Sequence, residues 1–215
     1  MLFTSEERLK RLAWMRNQSE ETFGSKLRQQ KFLFFYEMFS KINNRDYHLE
    51  YLKAYPNGPV FSEVYGDSTY RNTEFTEKIK SFVDFSDIDE NISNAALYLV
   101  KTFTEREISD LTHNLDLWSC KAKRILNGEK GIGIYDSDIT EKDVACFNEL
   151  YDEYLNLSLQ DVEIIELFNK IFIISKENAK KLTYEHQEVI ELLSRDQDLE
   201  NPVYLDIEEG VLLID

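Results

Sequence analysis

The side chains with most chemistry to offer are two cysteines, three histidines and a scatter of carboxylates, and their spacing decides what they can do. Cys120 and His113 stand seven residues apart and are the residue types that a thiol nucleophile and its base require. No third residue presents itself to orient the imidazole, and both positions fall on or beside short predicted helices, so the pair does not read as a catalytic couple. His48, His113 and His186 are too scattered for metal-ligand spacing, and no cysteine accompanies them at zinc intervals. His186 falls in the first turn of an acidic predicted helix, where exposure to solvent is expected. The stretch "GEKGIG" at residues 128–133 lacks the Gly-Lys-Ser/Thr ending of a phosphate loop, and no strong strand precedes it. Asp136 and Asp138 read as turn and cap residues rather than cation ligands. The expectation is a protein that is not an enzyme and has no metal and no cofactor.

A different stretch stands out. "YPNGPVFSEVY", residues 55–65, holds two of the three prolines. Each proline fixes its own φ and drives the preceding residue out of the helical region, so Tyr55 and Gly58 are expected to be extended. Asn57-Gly58 supplies a tight turn. The result is a rigid elbow that sets Val60, Phe61, Val64 and Tyr65 at a fixed attitude, with the spacing from Val60 to Val64 resuming a helical face. Two readings stay open. One is a stiff connector between core elements; the other is a preorganised surface whose exposed aromatics bind a partner at low entropic cost.

The elements that hold this elbow are mostly helical. Ser5 caps a first helix with a narrow apolar stripe at Leu9, Leu12 and Ala13. After Gly24-Ser25, "SKLRQQKFLFFYEMFSKIN" is apolar nearly all round over residues 32–39, which predicts a buried central helix. "RDYHLEYLKAY" reads as an extended or irregular link. Two amphipathic helices follow in "NTEFTEKIKSFVDF" and "NISNAALYLVKTF". Thr104 and Glu107 form a capping box, Gly128 ends a short helix, and a short strand is expected within residues 132–135. Thr140 caps the next helix with Asp143 three residues on. Ser158 and Asp161 repeat the pattern ahead of "VEIIELFNK", which is therefore expected to be helical. Beyond it, "IFIIS" is strand-like, "TYEHQEVIELLSR" a helix, and "VYLDIEEGVLLID" a hairpin around Glu208-Glu209-Gly210. The fold class is mainly α (α+β). Residues 1–157 make a compact helical domain around a buried central helix, and residues 158–215 make a small, β-containing acidic extension packed on it.

Composition narrows the partners. The 215 residues are 42% hydrophobic and 13% aromatic, enough to build a core, and the net charge is −16. Residues 151–215 carry 5 Lys/Arg against 16 Asp/Glu, a net −11. A nucleic-acid binder needs cations to replace phosphate counterions, so this balance excludes direct nucleic-acid binding. It suits a protein partner with a basic surface, or simply a solvated face. The longest apolar run, residues 32–39, is too short to span a bilayer and contains Glu37. With no leader-like start and no cysteine framework, the expectation is a cytoplasmic protein that meets no membrane.

Three groups of residues recur in a recognisable order: Lys31, Phe32, Leu33 and Phe34; then Ala54, Gly58, Pro59, Val60, Val64 and Tyr65; then Leu111, Thr112, His113 and Trp118. Over roughly residues 22–157 the chain resembles the Panacea domain, the SocA-like antitoxin family often carried by phages and prophages. Phe34 stands where that family usually has tyrosine, Asn57 before the Gly-Pro is unusual, and the acidic extension lies outside the common core. The resemblance implies an antitoxin that neutralises a toxin by direct protein contact, in some members as a proteolytic adaptor. It marks Lys31, Gly58, Pro59, Val60, Phe61, Tyr65, His113 and Trp118 as family-motif or partner-binding positions. The alternative is a phage-encoded inhibitor of a host defence protein, with the acidic region acting as a nucleic-acid mimic.

Overall fold

The computed structural model describes residues 1–156, 161–168 and 170–215. Its N-terminal part consists of α1 (Glu6–Gln18), α2 (Glu20–Gly24), α3 (Lys26–Ile42), β1 (Leu52–Tyr55), β2 (Gly58–Phe61), α4 (Ser62–Tyr70), α5 (Asn72–Lys80) and α6 (Glu90–Thr102). There follow α7 (Glu105–His113), α8 (Asp116–Ser119), α9 (Ala122–Leu126), β3 (Ile132–Gly133) and α10 (Glu141–Asn156). The C-terminal part holds β4 (Val162–Leu167), β5 (Lys170–Ser175), α11 (Lys176–Ala179), α12 (Tyr184–Leu193), β6 (Val203–Glu208) and β7 (Val211–Ile214). This is an α+β fold.

The helix α3 is the axis, as the sequence predicts. Ser25 caps it, its hydroxyl accepting from the Arg28 N–H, and every residue from Arg28 to Ser40 is buried. Phe34 and Phe35 meet Phe147 of α10 edge-on at 6.0 and 6.5 Å, and Phe39 meets Tyr151 at 5.2 Å. Burying a phenylalanine is worth about 1.5–3 kcal/mol, so this one seam of α3 and α10 supplies much of the core's cohesion. On the other side, Trp14 of α1 stacks on Phe32.

Charge is buried in the same layer. Arg8 and Arg11 of α1 are each only 4% exposed, and Glu37 of α3 is at 0%. Arg11 Nη1 donates to Glu37 at 2.5 Å, and Arg8 Nη1 donates to Glu63 of α4 at 2.5 Å. The His48 N–H satisfies the second Glu37 oxygen at 2.9 Å. Burial pushes the Glu37 and Glu63 carboxyls up, while the arginines beside them pull the other way. The network ties α1, α3 and α4 together in fixed register. It makes α1 buried on more sides than its narrow apolar stripe predicts.

Two local readings are corrected. The segment before the prolines takes the extended form of the two expected, and as a strand: β1 pairs antiparallel with β2, with Tyr55 opposite Gly58 and Leu52 opposite Phe61. The turn residues are therefore Pro56-Asn57, and Gly58 enters β2 with φ +101°. The elbow is a β-hairpin. The other edge of β1 pairs with β3, giving the order β2-β1-β3. The second correction is "VEIIELFNK". Val162–Leu167 is a strand paired along its whole length with β5. Its β-branched residues favour the sheet once a partner strand is in place. The expected Ser158 cap, the 157/158 domain boundary and Asn169 lie outside the described residues.

The second sheet runs β4-β5-β6-β7, with β5 and β6 parallel through the α11–α12 crossover. The expected final hairpin is present, closed by Glu209-Gly210 at φ +50° and +82°. His186 of α12 is not exposed as expected but buried. Its Nδ1 accepts from the Thr183 N–H, and its Nε2 meets the Gly210 carbonyl at 3.1 Å. The sheet has its own small core of Phe172, Ile174, Ile190, Val203, Leu205 and Ile207. It also seals the larger one: Ile173 belongs to the main cluster, and Val162, Ile164 and Tyr204 pack against it. Arg28 grips Glu166 with both Nη atoms at 2.9 and 3.0 Å. Among the described residues no helix is long and apolar enough to cross a membrane.

Candidate functional site: the braced hairpin

Four segments far apart in sequence meet behind the β1–β2 turn. Lys31 projects from the centre of α3 and is 1% exposed. Its Nζ donates to the Asn57 carbonyl in the turn at 2.8 Å and to Thr112 Oγ1 of α7 at 2.6 Å. The Thr112 hydroxyl is itself turned back onto the Ser109 and Ile108 carbonyls at 2.9 and 3.1 Å, which leaves its lone pairs for the lysine. Burial alone pushes the Lys31 ammonium down to about 7.

Gly58 is required here twice over. Its φ of +101° is one that L side chains avoid, and a Cβ there would fall onto Lys31 Nζ and within 2.6 Å of Thr112 Oγ1. From the other side, Trp118 of α8 donates its indole N–H to the Tyr55 carbonyl at 2.9 Å. His113, the last residue of α7, stacks on Trp118 with ring centroids 4.0 Å apart and an interplanar angle of 28°. Burial, and then the charge of Lys31, hold the His113 imidazole below its ordinary value. The two carbonyls flanking the tip, Tyr55 and Asn57, are thus each held by a side chain from the helical core.

The outward side is aromatic. Pro56 and Asn57 are exposed at the tip. Tyr65 of α4 is 42% exposed and lies 6.0 Å from the half-buried Tyr55 ring; Tyr70, at the end of the same helix, is 76% exposed. Burial and then the neighbouring Tyr65 and Tyr70 push the Tyr55 hydroxyl up. An aromatic surface on a fixed backbone loses little freedom on contact, which is what a docking surface needs.

Of the positions singled out in the sequence, Lys31, Gly58, His113 and Trp118 converge at this brace. Pro59 is buried on β2 opposite Ala54, and Val60 is half-buried opposite Lys53. Phe61 is not an exposed aromatic: it is at 0% exposure with the Arg8 guanidinium 4.0 Å over its ring. Val64 is likewise buried, because α4 begins only at Ser62 and turns that face inward. Tyr65 remains at the surface. Asp136 pairs with Lys41 and Tyr47, and Asp138 with Lys121 and the Tyr135 N–H. Cys120 is exposed, and its thiol meets only the Leu117 carbonyl, at 3.8 Å, while the His113 ring is taken up by Trp118. Among the described residues no three His, Cys, Asp or Glu side chains are disposed to hold a metal.

The positions that sequence reasoning missed are Arg8, Arg11, Glu63 and Asp67. Asp67 is at 0% exposure and accepts from the Phe3 and Thr4 N–H groups at 2.8 and 2.7 Å and from Arg71 Nε at 2.7 Å. A signal existed. Arg8 and Arg11 fall on the same helical face as Leu12 and Met15, and Glu37 interrupts an otherwise apolar run, as opposite charges do when they meet in a core. No family model matches this chain, and comparisons with curated proteins and with solved structures also find no match.

Proposed function

We propose that this protein is a non-enzymatic, antitoxin-like binder that masks a partner protein through the tyrosine-lined face of the braced hairpin. The observation that carries the reading is the convergence of Lys31, Gly58, Thr112, His113 and Trp118 on the backbone of a single turn. These are positions on which the Panacea resemblance rests, and their polar atoms go into fixing the hairpin. A scaffold that immobilises a turn beside Tyr55, Tyr65 and Tyr70 lowers the entropic cost of docking. The net charge of −16 favours a partner whose contact surface is basic.

The test is co-expression with the product of the neighbouring gene. The wild-type chain protects growing cells, and Tyr65→Ala/Tyr70→Ala loses protection while circular dichroism stays native, because both rings are surface groups. If the full-length protein gives no protection, the antitoxin reading is wrong. If the double variant protects as well as wild type, the docking face is elsewhere.

A further inference from the structure

A second site lies beside Arg28, among the start of α2, the end of α6 and β4. Ser19, Glu21, Thr22, Arg28, Lys101, Ile164 and Glu166 enclose a cavity of about 120 Å³. At roughly 30 Å³ for each water in the liquid, it takes a group of a few heavy atoms and nothing the size of a nucleotide.

Two cations, Arg28 and Lys101, and two carboxylates, Glu21 and Glu166, line it, and the donors of the cations are not all used. Arg28 is only 7% exposed; its two Nη atoms are spent on Glu166, but its Nε is buried with no hydrogen-bond partner. Lys101 of α6 is half-buried and has no ion pair within 4.0 Å among the described residues. Burial lowers its pKa, the exposed Glu21 carboxylate opposes that, and the charge of Arg28 adds to it. The strand adds main-chain donors. Lys176 N–H bonds to the Asp161 carbonyl at 2.7 Å, and the antiparallel alternation from that pair commits Glu163 and Ile165 to β5. The main-chain groups of Ile164 and Glu166 therefore point away from β5, and among the described residues β4 is the outermost strand. The unpaired Arg28 Nε and the Lys101 ammonium beside one small space are the donors an oxyanion takes, since Glu166 is already held by Arg28 and Glu21 is exposed to solvent.

We infer that this cavity binds a single carboxylate or phosphate group, held by Lys101, Arg28 Nε and the free edge of β4. The inference is independent of the hairpin face and of the antitoxin reading. The group has two possible sources, a free ion or the terminal carboxylate of an extended peptide lying along β4.

The experiment follows the Ile164 and Glu166 amide resonances of the full chain in ¹H–¹⁵N spectra. The chain is titrated with inorganic phosphate, with a short peptide ending in a free carboxylate, and with the same peptide ending in an amide. Saturable shifts with phosphate identify a free ion; saturation by the acid peptide but not by its amide identifies a chain terminus. Lys101→Gln weakens whichever probe binds by about tenfold or more, the scale of one charge-assisted hydrogen bond, and Lys101→Arg retains it. Lys101 makes no hydrogen bond or ion pair among the described residues, so these variants are expected to keep the wild-type spectrum away from α6 and β4. The inference is overturned if no probe saturates the two amides, or if Lys101→Gln binds as tightly as wild type.

Discussion

Lys31 is the residue on which the hairpin turns, and its burial makes a prediction about pH. A lysine in the unfolded chain titrates near its ordinary value of about 10.4, whereas Lys31 in the folded protein is held down to about 7. Between those values the unfolded chain takes up a proton that the folded one refuses. Stability from this group is therefore complete above the higher value, falls as pH drops toward 7, and levels off below it. The slope is at most about 1.4 kcal/mol per pH unit, and the Asn57 and Thr112 acceptors, which favour the ammonium, reduce it. Other groups titrate over the same range, so the quantity to measure is the difference in unfolding free energy between wild type and Lys31→Met. That difference is expected to shift in favour of wild type from pH 7 to pH 10. A difference that stays flat across the window means that Lys31 is as easily charged in the fold as out of it. Lys31 was legible in sequence as a motif position, but its isolation from any carboxylate was not, because only the fold decides which acceptors reach a buried ammonium.

At the level of elements, the hairpin shows both what the sequence reveals and what it hides. The two prolines and the glycine announce a stiff turn. They do not announce strands, since β1 and β2 are four residues each and Pro59 argues against a ladder. The proline is tolerated because β2 is an edge strand of its sheet. The helix α3 was legible from its apolar surface alone, and Thr104 with Glu107 forms the expected capping box on α7. By contrast, "VEIIEL" was misread because Ser158 and Asp161 read as a helix cap ahead of it, whereas its β-branched residues pair with β5. The arginines of α1 share the apolar face of their helix, but that signal was outweighed for a related reason: a charge reads as solvent-facing until the helix that neutralises it is known. The hairpin carries its own test. Gly58→Ala introduces a Cβ at φ +101° and onto Lys31 Nζ, so it is expected to destabilise by about 1–3 kcal/mol, read as a lower urea midpoint. An unchanged midpoint contradicts the brace.

For the whole molecule, the acidic C-terminal sheet is a structural cover as well as a charged surface. Ile173 completes the main core, Arg28 is held by Glu166, and Tyr204 lies beside Tyr98, whose burial is complete. Removing residues 157–215 strands the Arg28 charge and uncovers the faces of α3 and α6, so the shortened chain is expected to melt earlier and to bind a hydrophobic dye. A shortened chain that melts like the full one means that the sheet is a separate unit. Most carboxylates of the C-terminal part, including Glu188 and Glu191 of α12 and Asp206 and Glu208 of β6, stand in solvent. There they set the long-range field that a basic partner meets, while the contact itself is assigned to the tyrosines of the hairpin face. The most direct measurement of that assignment is growth rescue on co-expression with the neighbouring gene's product, comparing wild type with Tyr65→Ala/Tyr70→Ala. The account predicts rescue by the wild type and none by the natively folded double variant. Equal rescue by both would contradict the account.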